Sequence, residues 1–412
     1  MPKTRLSLFL LVLLAGCSAN RNPFSQNRYL DYRFPQPGPP MELQYWAIST
    51  DSVAIRLRFL NADLGLMPDA DNLEPKRRLL IRASFYPEFK RRKPIVSQPL
   101  VLESGLSDTA IFTGAELHLP MLMGTEGLLE LDIRDLQKNR SRFKYVNLSR
   151  LKEGNALDFQ VFEKGNPTIH NWVRVGNPCN IRYVDKLEQR FILEHYVAEF
   201  PLPAPPFAVS SELKPFPDAF LKESISRDEL LDFRFEKQEF LRISSENSPT
   251  SVLGLLVVGS NFPGLSNDSE RFRCMVYLMQ KEEIKQFSGV SDFHLWKFLK
   301  LDKAHSEAVE KMWLERIRHA NLLFTSFVPG WRTDRGMIYT IFGPPSSVYN
   351  NGRAEVWNYN PKSGSTPLSF RFERISQAYY QDEYRLERKA TYANVWYKAV
   401  ESWRNGNAFS YE

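Results

Sequence analysis

The sequence predicts a multidomain protein with an N-terminal all-β sandwich of immunoglobulin-like layout, a second β-rich domain and a C-terminal α+β domain. Short alternating apolar segments before residue 151 indicate the sandwich, and the continuous apolar run "SVLGLLVVG" indicates a buried strand in the second domain. An amphipathic helical pattern followed by further strand patterns indicates the third domain. A chain of 412 residues suits two or three domains of about 150 residues each.

Residues 1–16 predict a lipoprotein signal peptide. Lys3 and Arg5 precede the apolar run "LSLFLLVLL", which is too short to span a bilayer as a permanent helix. The segment ends in "LAGC", which resembles the lipobox of bacterial lipoproteins. The resemblance implies that Cys17 is acylated and becomes the first residue of the mature protein, anchoring it to a membrane. The alternative is an ordinary secretory signal with an incidental cysteine.

Residues 17–40 are expected to be a tether, because they are polar and end in "FPQPGPP". No aspartate follows Cys17 and no acidic cluster resembles a surface-export signal. By analogy with lipoprotein sorting, this favours the periplasmic side of the outer membrane. That location argues against nucleic acid as a partner, and the net charge of +6 is mild.

Residues 41–151 predict the β-sandwich domain. In "SVAIRLRFL", Val53, Ile55, Leu57 and Phe59 alternate with polar or small residues and share one face. Further strand patterns follow, and the turn "QKNR" joins the last pair, "LLELDIRDL" and "SRFKYVNL". Short strands separated by turn residues are typical of an immunoglobulin-like sandwich.

Residues 152–265 predict a β-rich domain crossed by a proline strap, "PLPAPPFAVSSELKPFP". Proline cannot donate to a β-ladder, so this segment is expected to run over the surface. The alternative is a proline-rich ligand for the groove of a partner. Cys179 and Cys274 either pair in an oxidising periplasm or remain buried thiols.

Residues 266–412 predict a helical segment followed by an α+β unit. One helix is expected to present an apolar stripe formed by Val309, Trp313, Ile317, Ala320 and Phe324. "MIYTIF" alternates like a strand, and a closing helix is expected to carry Val395, Ala399 and Trp403 on one stripe.

The stretch "GWRTDRG" between the helix and the predicted strand has two interpretations. Thr333 and Asp334 can bond nearby backbone amides, and Gly336 permits a positive φ, which together describe a structural turn. Asp334 and Arg335 can instead act as an acid–base group and an anion clamp. The structural turn is favoured, since catalysis needs a second converging group and the sequence shows none.

The run "HANLLFTSFVPGWRTDRGMIYTIFGPP…EVWNY" closely resembles the GWxTD-domain proteins, most strongly from Trp313 to Tyr359. Members of this layout are typically outer-membrane lipoproteins of Bacteroidota. Many of them carry an acidic residue after the double proline, where this chain has Ser346 and Ser347. The resemblance supplies no reaction. It implies these motif positions: Gly330, Trp331, Thr333, Asp334, Arg335, Gly336, Tyr339, Gly343, Pro344 and Trp357.

These features favour a lipid-anchored, non-catalytic scaffold that is a subunit of an envelope assembly in secretion, envelope biogenesis or motility. Its partners would be outer-membrane proteins. One alternative is an envelope hydrolase centred on Asp334 and Arg335, and another is a glycan-binding lipoprotein that uses exposed rings such as Trp46 and Trp172. The sequence lacks the residue spacing of metal-binding motifs and the glycine-rich fingerprints of nucleotide-binding sites, so no metal or cofactor is expected.

Two three-residue segments, "DSV" and "DTA", resemble the O-glycosylation motif of Bacteroidota. They make Ser52 and Thr109 possible acceptors.

Overall fold

The computed structural model describes residues 26–36, 38–66, 75–87, 93–105, 111–150, 156–168, 170–197, 200–209, 217–287, 302–360, 367–377 and 380–411. It is β-rich, with several sheets, and its C-terminal region combines helices with strands. The predicted signal peptide, Cys17 and Thr109 lie outside these residues.

The first β region consists of antiparallel strands in two sheets that share one apolar core. The strands described are β1 (Glu42–Ala47), β2 (Ser52–Leu60), β3 (Lys76–Pro87), β4 (Val96–Gly105), β5 (Phe112–Pro120), β6 (Glu126–Asp135) and β7 (Arg140–Ser149). One sheet has the order β1-β2-β5 and the other β4-β3-β6-β7. The predicted inner face of β2 is confirmed, because Val53, Ile55, Leu57 and Phe59 are fully buried. The immunoglobulin-like layout stays a prediction.

The second β region also contains two sheets, with the orders β10-β16-β15-β12-β13 and β14-β11-β8-β9. Its elements are β8 (Phe159–Glu163), β9 (Asn166–Pro167), β10 (Trp172–Arg174), β11 (Pro178–Tyr183), β12 (Arg190–Val197), β13 (Leu221–Ser226), α1 (Arg227–Leu231), β14 (Phe233–Arg234), β15 (Glu239–Ser245) and β16 (Val252–Val258). Every residue of β16 is buried, which confirms the buried strand. Trp172 is buried against Phe262, so its ring is no exposed platform.

The C-terminal region packs helices against an antiparallel sheet of order β17-β18-β19-β20. Its elements are α2 (Asp268–Met275), α3 (Lys281–Phe287), α4 (Lys303–Phe324), α5 (Asp334–Phe342), β17 (Ser347–Asn350), β18 (Ala354–Tyr359), β19 (Leu368–Gln377), β20 (Tyr380–Leu386) and α6 (Ala393–Arg404). The predicted stripe of α4 is buried and confirmed. In α6 the buried stripe is Trp396, Ala399 and Trp403, while Val395 is only partly buried. Within the described residues, no helix has the length and apolarity to cross a membrane.

The prediction that "MIYTIF" forms a strand is wrong, because these residues belong to helix α5. Thr333 caps this helix, and every residue from Gly336 to Phe342 is buried. A helix that is buried on all sides has no 3.6-residue stripe in its sequence. The apolar alternation of this segment therefore carried no information about its secondary structure.

The prediction that residues 17–40 are only a tether is wrong for the part that the structure describes. Tyr29–Tyr32 forms a single 3-10 turn that packs onto the C-terminal region. The Tyr32 ring stacks on Phe324, with centroids 5.6 Å apart, and its hydroxyl donates to Glu355 at 2.9 Å. The Arg28 amide donates to a backbone carbonyl of β17 at 2.8 Å. We call residues 26–36 the N-terminal segment.

The two described cysteines are free, buried thiols in different cores. Cys179 belongs to the core of the second β region, whereas Cys274 belongs to the core of the C-terminal region. Burial raises the pKa of each thiol to about 12. Both thiols are therefore protonated and unreactive at neutral pH.

We expect a water-soluble maleimide to label neither Cys179 nor Cys274 in the folded protein, because both are buried and protonated. Both should be labelled in concentrated guanidinium chloride without reductant, as read by peptide mass spectrometry. Leu187→Cys places a thiol at a position that is 86% exposed and provides the control for rapid labelling. Labelling of the two native cysteines only after reduction would instead reveal a disulfide.

Candidate functional site

The GWRTDRG stretch forms a tight turn that leads directly into a capped helix. Gly330–Arg332 is one 3-10 turn, and α5 follows it. The Thr333 hydroxyl accepts a hydrogen bond from the Gly336 amide at 3.0 Å and donates one to the Gly330 carbonyl at 2.7 Å. Threonine is a favoured N-cap residue because its side chain satisfies an amide that the helix leaves unpaired. The expected turn is thus confirmed, although it starts a helix.

Two glycines of the motif let three backbone segments touch. A Cβ atom at Gly330 would overlap the Ala320 carbonyl of α4, and one at Gly336 would overlap the Gly330 carbonyl. The predicted positive φ of Gly336 is wrong, since its role is close backbone approach. Gly343 is the motif glycine with a positive φ, +81°, at the C-terminus of α5.

The aromatic residues of the motif are structural. Trp331 and Trp357 are buried, and the Trp357 ring nitrogen donates to Glu355 at 2.5 Å. The Tyr339 hydroxyl donates to the Tyr32 carbonyl at 3.0 Å, which joins α5 to the N-terminal segment. Pro344 is partly exposed directly after α5, where proline prevents the helix from continuing.

Asp334 links the motif to strand β20 and to the proline strap. Its carboxylate accepts the Leu386 amide at 2.8 Å and pairs with Arg388 at 2.6 Å. Arg388 also donates to the carbonyl of Ala204 in the strap at 3.0 Å. Arg332 makes a second bond to this part of the chain, at the Phe200 carbonyl. These contacts support the prediction that the strap crosses the domain surface.

A cleft of about 610 Å³ lies between the strap, the motif and β20, and Asp334, Arg388 and Glu383 line it. The Glu383 Oε2 atom is buried and has no hydrogen-bond partner among the described residues. Burial raises the pKa of Glu383 to about 7. The Arg385 charge opposes this rise, and the negative charge of Asp334 adds to it.

The Arg335 side chain lies on a different side of the motif from the Asp334 side chain. It pairs with Glu355 at 3.8 Å and lies over the Tyr384 ring at 4.2 Å. It lines a second cavity, of about 490 Å³, which does not include Asp334. The pair Asp334 and Arg335, predicted as a candidate catalytic centre, is therefore split between two cavities.

Other residues singled out in the sequence lie apart from both cavities. Ser52 starts β2, and its hydroxyl donates to the Asp51 carboxylate at 3.2 Å; its glycosylation stays a prediction. Ser347 is buried and Ser346 partly exposed, and the Ser346 hydroxyl accepts the Asn360 amide at 3.1 Å. Within the described ranges, no group of His, Cys, Asp and Glu could hold a metal ion.

Sequence reasoning missed Glu383, Arg388 and Tyr32. Glu383 and Arg388 lie on either side of Leu386 in the segment "QDEYRLER", whose many charged residues suggest only an exposed strand. Tyr32 lies in a segment with the composition of a tether. No local pattern marks these three residues, because their roles arise from contacts with distant parts of the chain.

Gly336→Ala should destabilise the protein by about 3 kcal/mol, because its methyl group would overlap the Gly330 carbonyl and backbone must move to admit it. The measurement is the free energy of unfolding in urea. Thr340→Val is the matched control on the same helix. Thr340 is fully buried and its hydroxyl lacks a partner in the described structure, so we expect a change below about 1 kcal/mol. Equal losses in both variants would contradict the role given to Gly336.

The stability of the native protein should fall, relative to Glu383→Gln, as the pH rises from about 4.5 to about 7. The raised pKa of Glu383 means that the folded state binds a proton more tightly than the unfolded state. The stabilisation from this tighter proton binding is fully present below a pH of about 4.5. It is lost as the pH rises through the pKa of Glu383 in the folded state, about 7. We expect a relative loss on the order of 3 kcal/mol. Urea unfolding across this pH range would test it, and parallel curves for the two proteins would contradict it.

The comparison with protein families accords with this geometry. The model of the GWxTD domain matches residues 240–405. The match begins in β15 and includes the motif turn, α5 and the C-terminal sheet. No curated protein matches the chain at a significant level. The chain is therefore a GWxTD-domain protein, as its motif residues and their arrangement indicate.

Proposed function

We propose that the protein is a lipid-anchored scaffold on the periplasmic side of the outer membrane. It is a non-catalytic subunit of an envelope assembly that serves secretion, envelope biogenesis or motility, and its partners are outer-membrane proteins. In this proposal Cys17 carries the acyl chains. Residues 41–151 form an immunoglobulin-like sandwich that spaces and docks the partners, and two sheets over one core support that layout.

The observation that carries the proposal is the use of the motif side chains. Trp331 and Trp357 fill the core, Thr333 caps α5, and Asp334 is joined through Arg388 to the strap. These residues therefore fill the core, start a helix or join distant segments of the chain. Such use suits a rigid structural unit better than a site in which several groups converge on a substrate.

The N-terminal segment supplies a second argument. It packs onto the GWxTD domain, and only residues 18–25 lie between it and Cys17. An extended chain spans at most about 3.6 Å per residue, so an anchor at Cys17 would hold the GWxTD domain within about 30 Å of the bilayer surface. The domain would then be placed to contact proteins embedded in that membrane.

Native protein should incorporate labelled palmitate and fractionate with the outer membrane, and Cys17→Ser should do neither. When the native protein is purified in mild detergent, a stoichiometric outer-membrane protein should accompany it. Arg56→Gln, which removes an exposed ion pair with Glu116, serves as a control for surface charge and should retain that partner. An unlabelled native protein would contradict the anchor. A labelled protein that is recovered without any partner would contradict the scaffold.

A hydrolase is the alternative, and the cleft beside the strap favours it. Asp334 and Glu383 both line this cleft, and two carboxylates in different environments can divide the roles of acid and base. In this form of the hydrolase hypothesis, the residue that acts together with Asp334 is Glu383 and not Arg335. Cleavage of peptidoglycan, peptides or glycans by the purified protein, abolished in a folded Glu383→Gln variant, would replace the scaffold proposal.

A further inference from the structure

The second cavity lies where several parts of the chain meet. Its volume is about 490 Å³, and it lies between the N-terminal segment, strand β7 and the GWxTD domain, with strand β1 completing its wall. Arg28 and Gln36 reach it from the N-terminal segment, Arg142 from β7, and Arg335 and Asn350 from the GWxTD domain. Neither the motif contacts nor the scaffold proposal assigns it a role.

The charges that line this cavity do not balance. Lys144 pairs with Asp31 at 3.2 Å, and Arg335 pairs with Glu355 at 3.8 Å. His170 also lines the cavity, and burial lowers its pKa to about 4, so it is neutral at physiological pH. The remaining ionisable residues of the lining, apart from its tyrosines, are the cations Arg28 and Arg142.

Neither of these two arginines forms an ion pair within 4 Å among the described residues; the nearest charge acting on Arg142 is Asp31, which is already paired with Lys144. Arg28 is 7% exposed, and its guanidinium donates to the Asn350 carbonyl at 3.4 Å and lies over the Tyr145 ring at 4.7 Å. Its Nε atom is buried and lacks a described partner. Arg142 is 8% exposed and donates to the Gln36 side-chain oxygen.

Buried guanidinium groups are normally paired, because removing a charge from water costs several kcal/mol unless an opposite charge compensates. Burial lowers the pKa of Arg142, which reflects the same cost, and the Asp31 charge offsets only part of this shift. A ligand with a negative charge would supply the missing partner. The planar guanidinium fork matches the oxygens of a phosphate or a carboxylate, and the cavity has room for a small molecule that carries one.

We propose that this cavity binds a small ligand through its oxyanion, a phosphate or a carboxylate, held by Arg28 and Arg142. Because Arg28 lies on the N-terminal segment and Arg142 on β7, one bound oxyanion would join these two parts of the chain. The ligand would therefore strengthen the packing of the N-terminal segment. Its occupancy would control how firmly the segment that leads to the anchor is held.

The first test is isothermal titration calorimetry at low ionic strength on the detergent-solubilised full chain. The probes are inorganic phosphate, glucose 1-phosphate and glucuronate, which separate a phosphate from a carboxylate. We expect saturable binding of at least one probe and at least a tenfold weaker Kd in Arg142→Gln. Arg142→Lys should be intermediate, because it keeps the charge and loses the fork. Arg56→Gln should bind like the native protein, because the partly exposed Arg56 does not line this cavity and already has a carboxylate partner, Glu116.

Hydrogen exchange provides a second readout, which reports directly on the packing of the N-terminal segment. The bound probe should slow exchange at the backbone amides of residues 26–36 in the native protein and have no such effect in Arg142→Gln. Arg28→Gln should weaken binding in the same way as Arg142→Gln; if it does not fold, Arg142→Gln carries the test alone. Absence of saturable binding by all three probes, or unchanged affinity in a folded Arg142→Gln variant, would overturn the proposal.

Discussion

The contact between three backbone segments at Gly330 and Gly336 sets the geometry of the GWxTD domain. Helix α4, the motif turn and helix α5 approach so closely that neither glycine can carry a Cβ atom without a backbone shift. This contact fixes the position at which α5 begins. Asp334 and Arg335 are its first two residues, and successive helical residues point about 100° apart. One side chain therefore faces the strap, whereas the other faces the N-terminal segment.

Buried and partly buried arginines then join the remaining segments by donating to backbone carbonyls. Arg388 and Arg332 bind carbonyls at residues 204 and 200, on the strap and directly before it. Arg316 of α4 donates to the Thr340 and Ile341 carbonyls at the end of α5, at 3.1 and 3.0 Å. A helix C-terminus leaves carbonyls unpaired, and a cation there is favoured by the helix dipole. Arg28 and Arg142 differ from this set, because each has a single described acceptor and both face a cavity.

The motif can serve a scaffold and still lie beside two cavities. Asp334 is engaged by Leu386 and Arg388, while Glu383 nearby keeps an unpartnered oxygen. The cleft toward the strap thus combines a carboxylate whose hydrogen-bond partners are in place, Asp334, with a carboxyl group that has a buried oxygen without a described partner, Glu383. The cavity toward the N-terminal segment instead combines paired charges with two unpaired arginines. Because one cavity presents an acidic carboxyl group and the other two guanidinium groups, we expect the two cavities to prefer different ligands.

The sequence by itself determined the elements whose periodicity reflects one buried face. These include the inner face of β2, the buried strand β16 and the stripe of α4, together with membership of the GWxTD domain family. Local patterns report burial only when one side of an element faces the core and the other faces solvent, or when a strand is buried throughout. Helix α5 is buried on every side, so its pattern was misleading and only the tertiary structure showed its conformation.

Tertiary structure alone also decided which side chains meet. Tyr32 and Glu355 are 323 positions apart in the sequence, yet their side chains are hydrogen-bonded. Asp334 and Arg335 are adjacent in the sequence, yet they line separate cavities. Neither outcome follows from spacing along the chain, because side-chain proximity depends on how whole elements pack. The sequence therefore indicated where the motif lies and which family it belongs to, whereas the packing of α4, α5 and the N-terminal segment determined which groups of the motif face each cavity.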